Sequence, residues 1–234
     1  MTIGLPLIAR RTHKWIALAV ALPALIWALS GLYMTAVPID IIHGDHFIRP
    51  HAPQAIAAGA LADPIAAAQS IPDAQGVRLN WLLDRPTYIV AGPHGTQLLD
   101  ARTGARLAPP DAAMVRKLAD HWYRGEARLE RLTLVHELPI EARGREPPLW
   151  RADFGGWNQP TLYFSPATGE LITRRHELWR VFDFLWMLHI MDFDERDDVN
   201  NWLLRGLSLA TVLMALTGAW LLLYSFRRRR RKRG

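Results

Sequence analysis

Histidine is the residue type in this chain with the clearest capacity for chemistry, and His189 is the best placed of the nine histidines. Its spacing from several apolar residues puts them together on one face of an amphipathic helix predicted over 177–193. These residues are Leu178, Trp179, Phe182, Leu185 and Trp186. The imidazole on that face either ligates iron in an aromatic-walled pocket or hydrogen-bonds a lipid headgroup or the backbone at an interface.

The composition removes several other kinds of chemistry. The chain has 234 residues and no cysteine. This excludes disulfides, thiolate-bound zinc, iron–sulfur clusters, a cysteine nucleophile and thioether-attached haem. No nucleophile motif, phosphate-binding loop or nucleotide fingerprint is present in the sequence. A metal or a haem held by histidine is compatible with this composition.

The net charge of +6 comes from the two ends of the chain. Seven basic residues occupy 227–233, and Arg10, Arg11 and Lys14 precede the first apolar run, so that the remainder is mildly acidic. A nucleic-acid-binding protein would need a basic folded surface, and basic residues that abut an apolar run are typical of cytoplasmic anchors. We therefore expect the lipid bilayer, and no nucleic acid, as a partner.

Two uncharged runs, 15–39 and 206–226, contain 25 and 21 residues. A membrane helix needs about 20 residues. A signal peptide has an apolar core of about 7–15 residues, so the first run is predicted to be an uncleaved anchor. The positive-inside rule places both termini in the cytoplasm and the central segment outside, which in an inner membrane is the periplasm.

The central segment carries an internal repeat. The first copy begins with a short helix from Asp63, followed by strands at 77–84, 86–92 and 96–100. The second copy has a helix at 111–122, strands at 128–138 and 148–154, and the strand TLYFS. Each copy ends in an A-R-T-G or P-A-T-G turn, after which an apolar residue resumes the strand. One copy is too small to bury a good core alone, so we expect the copies to pack together or on the membrane helices.

The predicted fold class is an α+β membrane protein in which two transmembrane helices flank two helix-plus-antiparallel-sheet units. The expected domains are a cytoplasmic N-terminus 1–14, transmembrane helix 15–39, first unit 40–108, second unit 109–175, interfacial helix with acidic link 176–205, transmembrane helix 206–226 and basic tail 227–234.

Several motifs resemble those of the PepSY-associated transmembrane helix family. D-A-R-T-G-A-R-L and S-P-A-T-G-E-L-I resemble the endings of PepSY repeats. R-R-T-H-K-W with A-L-S-G-L-Y-M resembles the family's first membrane helix, and W-M-L-H-I-M-D-F with N-N-W-L-L-R and A-L-T-G-A-W-L-L its closing element. Larger relatives have four spans, and some are haem-b reductases of ferric siderophores, whereas isolated PepSY units are linked to peptidase inhibition and regulation. This chain has two spans.

The resemblance implies that His189 is a haem b ligand at the outer face and His13 one at the inner face. Trp186 and Trp179 are then expected to wall the outer pocket. About 30 Å of hydrocarbon separates the two faces, so the two histidines cannot ligate one haem together.

A second ligand is therefore needed at each face. The candidates for the outer face are His43, His46, His176 or His189 of a second chain, and a homo-oligomer would supply a second His13. His43 and His46 with Asp45 form an alternative site for a transition metal. The acidic cluster at 192–198 is either a solvated link or a docking face for a cationic partner or ferric complex.

Two functions remain open. The first is an electron-transfer component, a membrane oxidoreductase or ferric reductase component, that reduces a ferric siderophore or a periplasmic redox partner. The second is a non-enzymatic periplasmic binding or regulatory module for a peptide, a peptidase or a membrane partner.

Overall fold

The computed structural model describes residues 5–50, 56 and 59–231, and it describes side chains over 10–50, 56 and 59–223. The helices are α1 (Leu5–Ala36), α2 (Ile39–His43), α3 (Pro64–Gln69), α4 (Ala112–Trp122), α5 (Glu177–Ile190) and α6 (Trp202–Arg231). The strands are β1 (Gly76–Leu82), β2 (Arg85–Gly92), β3 (Gly95–Asp100), β4 (Leu129–Val135), β5 (Leu149–Phe154), β6 (Thr161–Phe164) and β7 (Leu171–Arg175). The chain divides into two compact units, a helical unit (Met1–Pro38 with Val181–Gly234) and an α+β unit (Ile39–Arg180).

The helical unit is built from two long apolar helices, α1 and α6. The first starts ten residues before the predicted span and ends at Ala36, just before Pro38, which disfavours a helical residue at position 37. Over Arg10–Ala36 and Trp202–Leu223, these helices are long and apolar enough to cross a membrane. Their most apolar windows are only 11% and 0% buried, unlike the core helix of a soluble protein. Length, composition and exposure therefore favour membrane anchoring.

One stripe of α1 faces α6. His13, Val20, Ala24 and Trp27 are separated by seven, four and three residues, which places them along one seam of a helix pair. Val20 is 3% exposed. Ala24 and Trp27 line an apolar cleft of about 230 Å³ together with residues of α6.

The first repeat consists of α3 and a three-stranded antiparallel sheet in the order β1-β2-β3. The Asp63 carboxylate accepts a hydrogen bond from the N–H of Ile65, and Pro64 occupies the first helical position, where a missing N–H is tolerated. One face of the sheet buries Tyr88, Val90 and Leu99 against α3. The predicted strands are confirmed to within two residues at each end.

The second repeat consists of α4 and a four-stranded antiparallel sheet in the order β4-β5-β6-β7. Leu118 of α4 and Phe164 of β6 belong to a core that also contains Ile89 and Leu98 from the other face of the first sheet. The two repeats thus share one core, as their small size predicts.

The turns that close the two repeats have the same hydrogen bonds. In the first turn, the Gly104 N–H donates to the Asp100 carbonyl and the Asp100 N–H donates to the Ala105 carbonyl, each at 2.8 Å. The second turn repeats both bonds 65 positions later, at 2.8 and 2.9 Å. Gly104 and Gly169 have φ of 73° and 72°, a conformation that favours glycine. The internal repeat is therefore present in the backbone as well as in the sequence.

The repeats differ after these turns. In the second repeat the chain continues into β7, as predicted. In the first repeat only one bridge forms, between Leu99 and Arg106, before Pro109 and Pro110. Proline lacks the N–H that a strand needs, so the first sheet ends at three strands.

Helix α5 is shorter than predicted, because Met191 adopts φ of 57° and ends it. Asp183, which periodicity assigns to a face other than the aromatic one, is buried and paired with Arg196 at 2.5 Å. The helix is therefore covered on its Asp183 face as well, which its apolar periodicity does not indicate.

Candidate functional site

His189 lies against the C-terminal half of α1. Its Nδ1 is 2.9 Å from the Ser30 hydroxyl and 3.2 Å from the Trp27 carbonyl, and its ring stacks on the Trp27 indole at 5.0 Å. The Ser30 hydroxyl also donates its single proton to the Trp27 carbonyl at 2.9 Å. A carbonyl can only accept, so the contact of Nδ1 with the Trp27 carbonyl indicates that Nδ1 carries the imidazole proton and that Nε2 carries the lone pair.

His13 has the same arrangement near the other end of α1. Its Nδ1 is 3.0 Å from the Thr217 hydroxyl of α6. That hydroxyl donates its proton to the Leu213 carbonyl at 2.8 Å, with the Met214 carbonyl at 3.0 Å. When this proton goes to one of the two carbonyls, the Thr217 oxygen accepts from Nδ1–H of His13 and Nε2 keeps the lone pair. Among the described residues, neither Nε2 has a hydrogen-bond partner.

A glycine follows the hydroxyl residue at both positions. A Cβ on Gly31 would lie 3.3 Å from Cε1 of His189, and a Cβ on Gly218 would lie 3.1 Å from Cε1 of His13. At Ser30–Gly31 and Thr217–Gly218, the glycine has no Cβ, so an imidazole can pack closely against the helix backbone. The sequence marks these pairs only as small-residue patches suited to helix packing.

The two imidazoles lie far apart. Ser30 is 17 residues beyond His13, which corresponds to about 25 Å along α1 at 1.5 Å per residue. The helical unit thus has one histidine towards each end of its apolar helix pair.

Trp186 and Trp179, which were expected to line a pocket around His189, contact other residues. Trp186 donates its indole N–H to the Arg196 carbonyl at 3.0 Å, and its ring stacks on Phe182 at 6.4 Å. Trp179 lies under the Arg175 guanidinium at 4.0 Å. The ring that contacts His189 is Trp27, which sequence reasoning missed. The positions of Trp27, Ser30 and Gly31 at i, i+3 and i+4 on an apolar helix were an available signal.

The other candidate histidines belong to the α+β unit. His43 and His46 are exposed, and the His46 ring lies 3.9 Å from that of Phe47. Asp45, proposed to complete a metal site with them, is ion-paired with Arg174. The residues that the structure describes contain no group of three or more side chains able to hold a metal ion.

His176 is unsuited to ligate iron, contrary to the expectation that it could be a second ligand. It is 1% exposed, and its Nε2 lies 3.0 Å from the Ile42 carbonyl. Its Nδ1 lies 3.3 Å from Oδ1 of Asn158, an atom that also accepts the N–H of Leu178. Burial lowers the pKa of His176. Both ring nitrogens are occupied, so this side chain is structural.

The acidic link between α5 and α6 is organised internally. The Asp192 carboxylate accepts backbone N–H groups from Asp194, Asp197 and Asp198, and these bonds lower the pKa of Asp192. Asn201 donates to the Ile190 carbonyl at 2.8 Å. The Asp198 carboxylate also accepts the N–H of Asn200 at 2.7 Å, so hydrogen bonds within the link hold at least two of its five acidic side chains.

A second site lies in the α+β unit, where a polar cleft of about 530 Å³ opens beside the second sheet. Its lining includes three cationic and three anionic side chains, which are Glu130, Arg131, Arg151, Asp153, Glu177 and Arg180. Arg180 connects it to buried Glu141 through a hydrogen bond of 2.6 Å, and Tyr163 donates to the same carboxylate at 2.6 Å. Two of the cations are ion-paired with anions of the same lining, Arg151 with Asp153 and Arg180 with Glu177, each at 2.8 Å.

No protein-family model, curated protein or solved structure matches this chain. The structural class of this protein is therefore defined by its own fold. It is an α+β protein whose two long apolar terminal helices flank, in sequence, two small antiparallel sheets of three and four strands.

Proposed function

We propose that this chain is a membrane-anchored protein of the PepSY type, with both termini in the cytoplasm and the α+β unit in the periplasm. The two apolar helices and the basic residues beside them support this orientation in an inner membrane. The matching hydrogen bonds of the turns at Gly104 and Gly169 support two copies of one repeat.

His13 and His189 are, in this proposal, ligands of haem b. The observation that carries it is the shared geometry of the two imidazoles, each with Nδ1 against a hydroxyl and with no hydrogen-bond partner at Nε2 among the described residues. A metal-bound histidine usually donates its other ring N–H to a protein group, which orients the ring. His13 lies on α1, and an ionisable residue of a membrane helix is a functional candidate by default.

The donor chemistry fits this cofactor, since haem iron is commonly held by histidine. When bound, haem b supplies a one-electron iron couple. Ser30 and Thr217 orient the imidazoles and keep Nε2 free of a proton, while Trp27 covers one side of His189. With haem b held by these histidines, the chain would pass electrons from a cytoplasmic one-electron donor, which is oxidised, to a ferric siderophore or a periplasmic redox partner, which is reduced.

Each end of the helical unit offers one histidine, so a further ligand is required at each. A second copy of the chain supplies both, through its own His13 and His189. The protein is thus expected to act as a homo-oligomer or beside another membrane protein.

Absorption spectroscopy tests the haem proposal. The full chain, purified in mild detergent and supplemented with haem, should show a Soret band and reduced-minus-oxidised bands with dithionite. His189→Ala and His13→Ala should each remove part of the signal, and the double variant all of it. His94→Ala, in the turn before β3, is the matched control and should leave the spectrum unchanged. A wild-type chain without a Soret band would refute the proposal.

The reduction potential tests whether the hydroxyls position the imidazoles. Thr217→Val keeps the shape of the side chain but removes the acceptor for His13, whereas Thr217→Ser keeps the acceptor. The valine variant should shift the reduction potential of the inner haem, and the serine variant should restore it.

The polar cleft favours a second candidate function, a binding or regulatory module. Arg131 lies in the cleft on the edge strand β4 and is exposed, so Arg131→Glu reverses a cleft charge without disturbing the core. If the module is the function, this variant should fail to complement a gene deletion, and the His13→Ala/His189→Ala double variant should complement it. Arg128→Glu, which is exposed outside the cleft lining, is the control. The opposite pattern would favour electron transfer.

A further inference from the structure

One end of the α+β unit is held together by buried polar side chains. His176 bonds the Ile42 carbonyl and the Asn158 side chain, and the Asn158 carbonyl accepts the N–H of Glu177. The Arg180 guanidinium donates hydrogen bonds to the Gln159 carbonyl at 3.2 Å and to the Glu141 carboxylate at 2.6 Å. The same network therefore ties α2, the β5–β6 turn, the turn at 140–142 and the start of α5.

Exposed apolar side chains flank this network. Three exposed apolar residues each precede a buried residue of the network. They are Ile41 before Ile42, Ile140 before Glu141 and Trp157 before Asn158. Ile42, Asn158 and Glu141 belong to one hydrogen-bonded network, so their three exposed neighbours lie at the same end of the unit. Trp157 is 78% exposed, next to the Gly155–Gly156 pair of the β5–β6 turn.

The chain enters and leaves the α+β unit at this same end. It enters at Ile39, itself exposed, and leaves after Arg180. Ile39 lies three residues beyond Ala36, where α1 ends, and three extended residues span at most about 11 Å. If α1 crosses the bilayer, this end of the unit begins within reach of the outer leaflet.

We infer that Ile41, Ile140 and Trp157 form a contact surface, the interfacial rim, that inserts into the outer-leaflet lipid interface. Tryptophan is favoured at the level of lipid headgroups, because its indole combines an apolar body with an N–H donor. Isoleucine side chains beside it add apolar area that water would otherwise cover. The inference rests on the membrane anchoring proposed above and does not depend on haem.

Site-specific labelling tests the interfacial rim, and the absence of native cysteine makes the labels unique. Trp157→Cys and Ile140→Cys variants of the full chain would carry the fluorophore NBD in phosphatidylcholine nanodiscs. Ile65→Cys, an exposed isoleucine in α3 of the same unit, is the matched control. Leu209→Cys, exposed on α6, reports whether the apolar helices lie in lipid.

Labels at positions 157 and 140 should emit at shorter wavelength than the label at 65. Headgroup spin-labelled lipid should quench them, and aqueous iodide should quench them less than the label at 65. If the label at 209 contacts lipid while those at 157 and 140 match the label at 65, the interfacial rim is refuted and the anchoring stands. If the label at 209 is also quenched by iodide and not by lipid, both fail.

Discussion

Replacing Glu141 with alanine is expected to lower the free energy of unfolding by about 3 kcal/mol, the lower end of the range for breaking a buried ion pair. The Glu141 side chain is 10% exposed and that of its partner Arg180 is 25% exposed. Its carboxylate accepts hydrogen bonds from Arg180 and Tyr163, each at 2.6 Å. Without it, the buried Tyr163 hydroxyl loses its acceptor and the half-buried Arg180 loses one of its two carboxylate partners, which is costly in a low dielectric.

Glu177 provides the matched control because it pairs with the same arginine, at 2.8 Å, but its side chain is 40% exposed. Glu177→Ala should lower the free energy of unfolding by less than about 1 kcal/mol, as expected for an exposed pair on a helix. Denaturant titration of the full chain in detergent, followed by tryptophan fluorescence, measures both. Equal losses for the two variants would contradict a buried role for Glu141.

The same carboxylate predicts a loss of stability in acid. Burial raises the pKa of Glu141, but the hydrogen bonds from Arg180 and Tyr163 outweigh it, so that the pKa lies below the ordinary value of 4.5. A group with a lowered pKa stabilises the fold fully above its unfolded-state pKa and loses that contribution as the pH falls through the folded-state pKa. The stability difference between wild type and Glu141→Gln should therefore be constant above about pH 5.5 and shrink below pH 4.5.

Replacing Gly169 with alanine is expected to lower the free energy of unfolding by about 2–5 kcal/mol, from left-handed strain of about 1–2 kcal/mol and overpacking of about 1–3 kcal/mol. Gly169 has φ of 72°. A Cβ there would lie 2.8 Å from Cδ1 of both Leu118 and Leu82, which belong to the core shared by the repeats. Both side chains are packed, so neither can move away without disturbing the core.

The equivalent glycine of the first repeat separates strain from packing. Gly104 has φ of 73°, but a Cβ there would meet only Cβ of Ala67, at 3.9 Å. Gly104→Ala should therefore lower the free energy of unfolding by about 1–2 kcal/mol, the left-handed term alone. The same denaturant titration compares the two, and a larger loss at Gly104 than at Gly169 would be inconsistent with the shared core.

The structure changes how the histidines are understood. His189 was expected either to ligate iron or to hydrogen-bond at a membrane interface. Both roles are served by an imidazole that has one ring nitrogen hydrogen-bonded within the protein and the other available to a ligand or a lipid headgroup. The hydroxyl of Ser30 provides this state at His189, and that of Thr217 provides it at His13. His176 is the contrasting case, because its two nitrogens are both bonded within the α+β unit.

Local pattern was enough to predict the elements. Long uncharged runs predicted α1 and α6, because a helix that faces lipid needs apolar side chains on every side. Alternating apolar residues between turn glycines predicted the strands, and the shared A-R-T-G and P-A-T-G endings predicted the repeat. Local pattern also selected His189, since helical periodicity is a property of neighbours in sequence. The PepSY relationship and haem binding remain predictions.

The partners of each site were decided by tertiary structure. Ser30 meets His189 across 159 residues and Thr217 meets His13 across 204, and periodicity reports the face of a helix without reporting what lies opposite. For the same reason, the pairing of Asp183 with Arg196 and the burial of Glu141 under Arg180 could not be predicted. Composition and period thus determined the helices, the sheets and the candidate histidines of this protein. Only the packed chain decided which imidazole nitrogen is held and which is free, because a hydrogen bond depends on atoms that folding brings together.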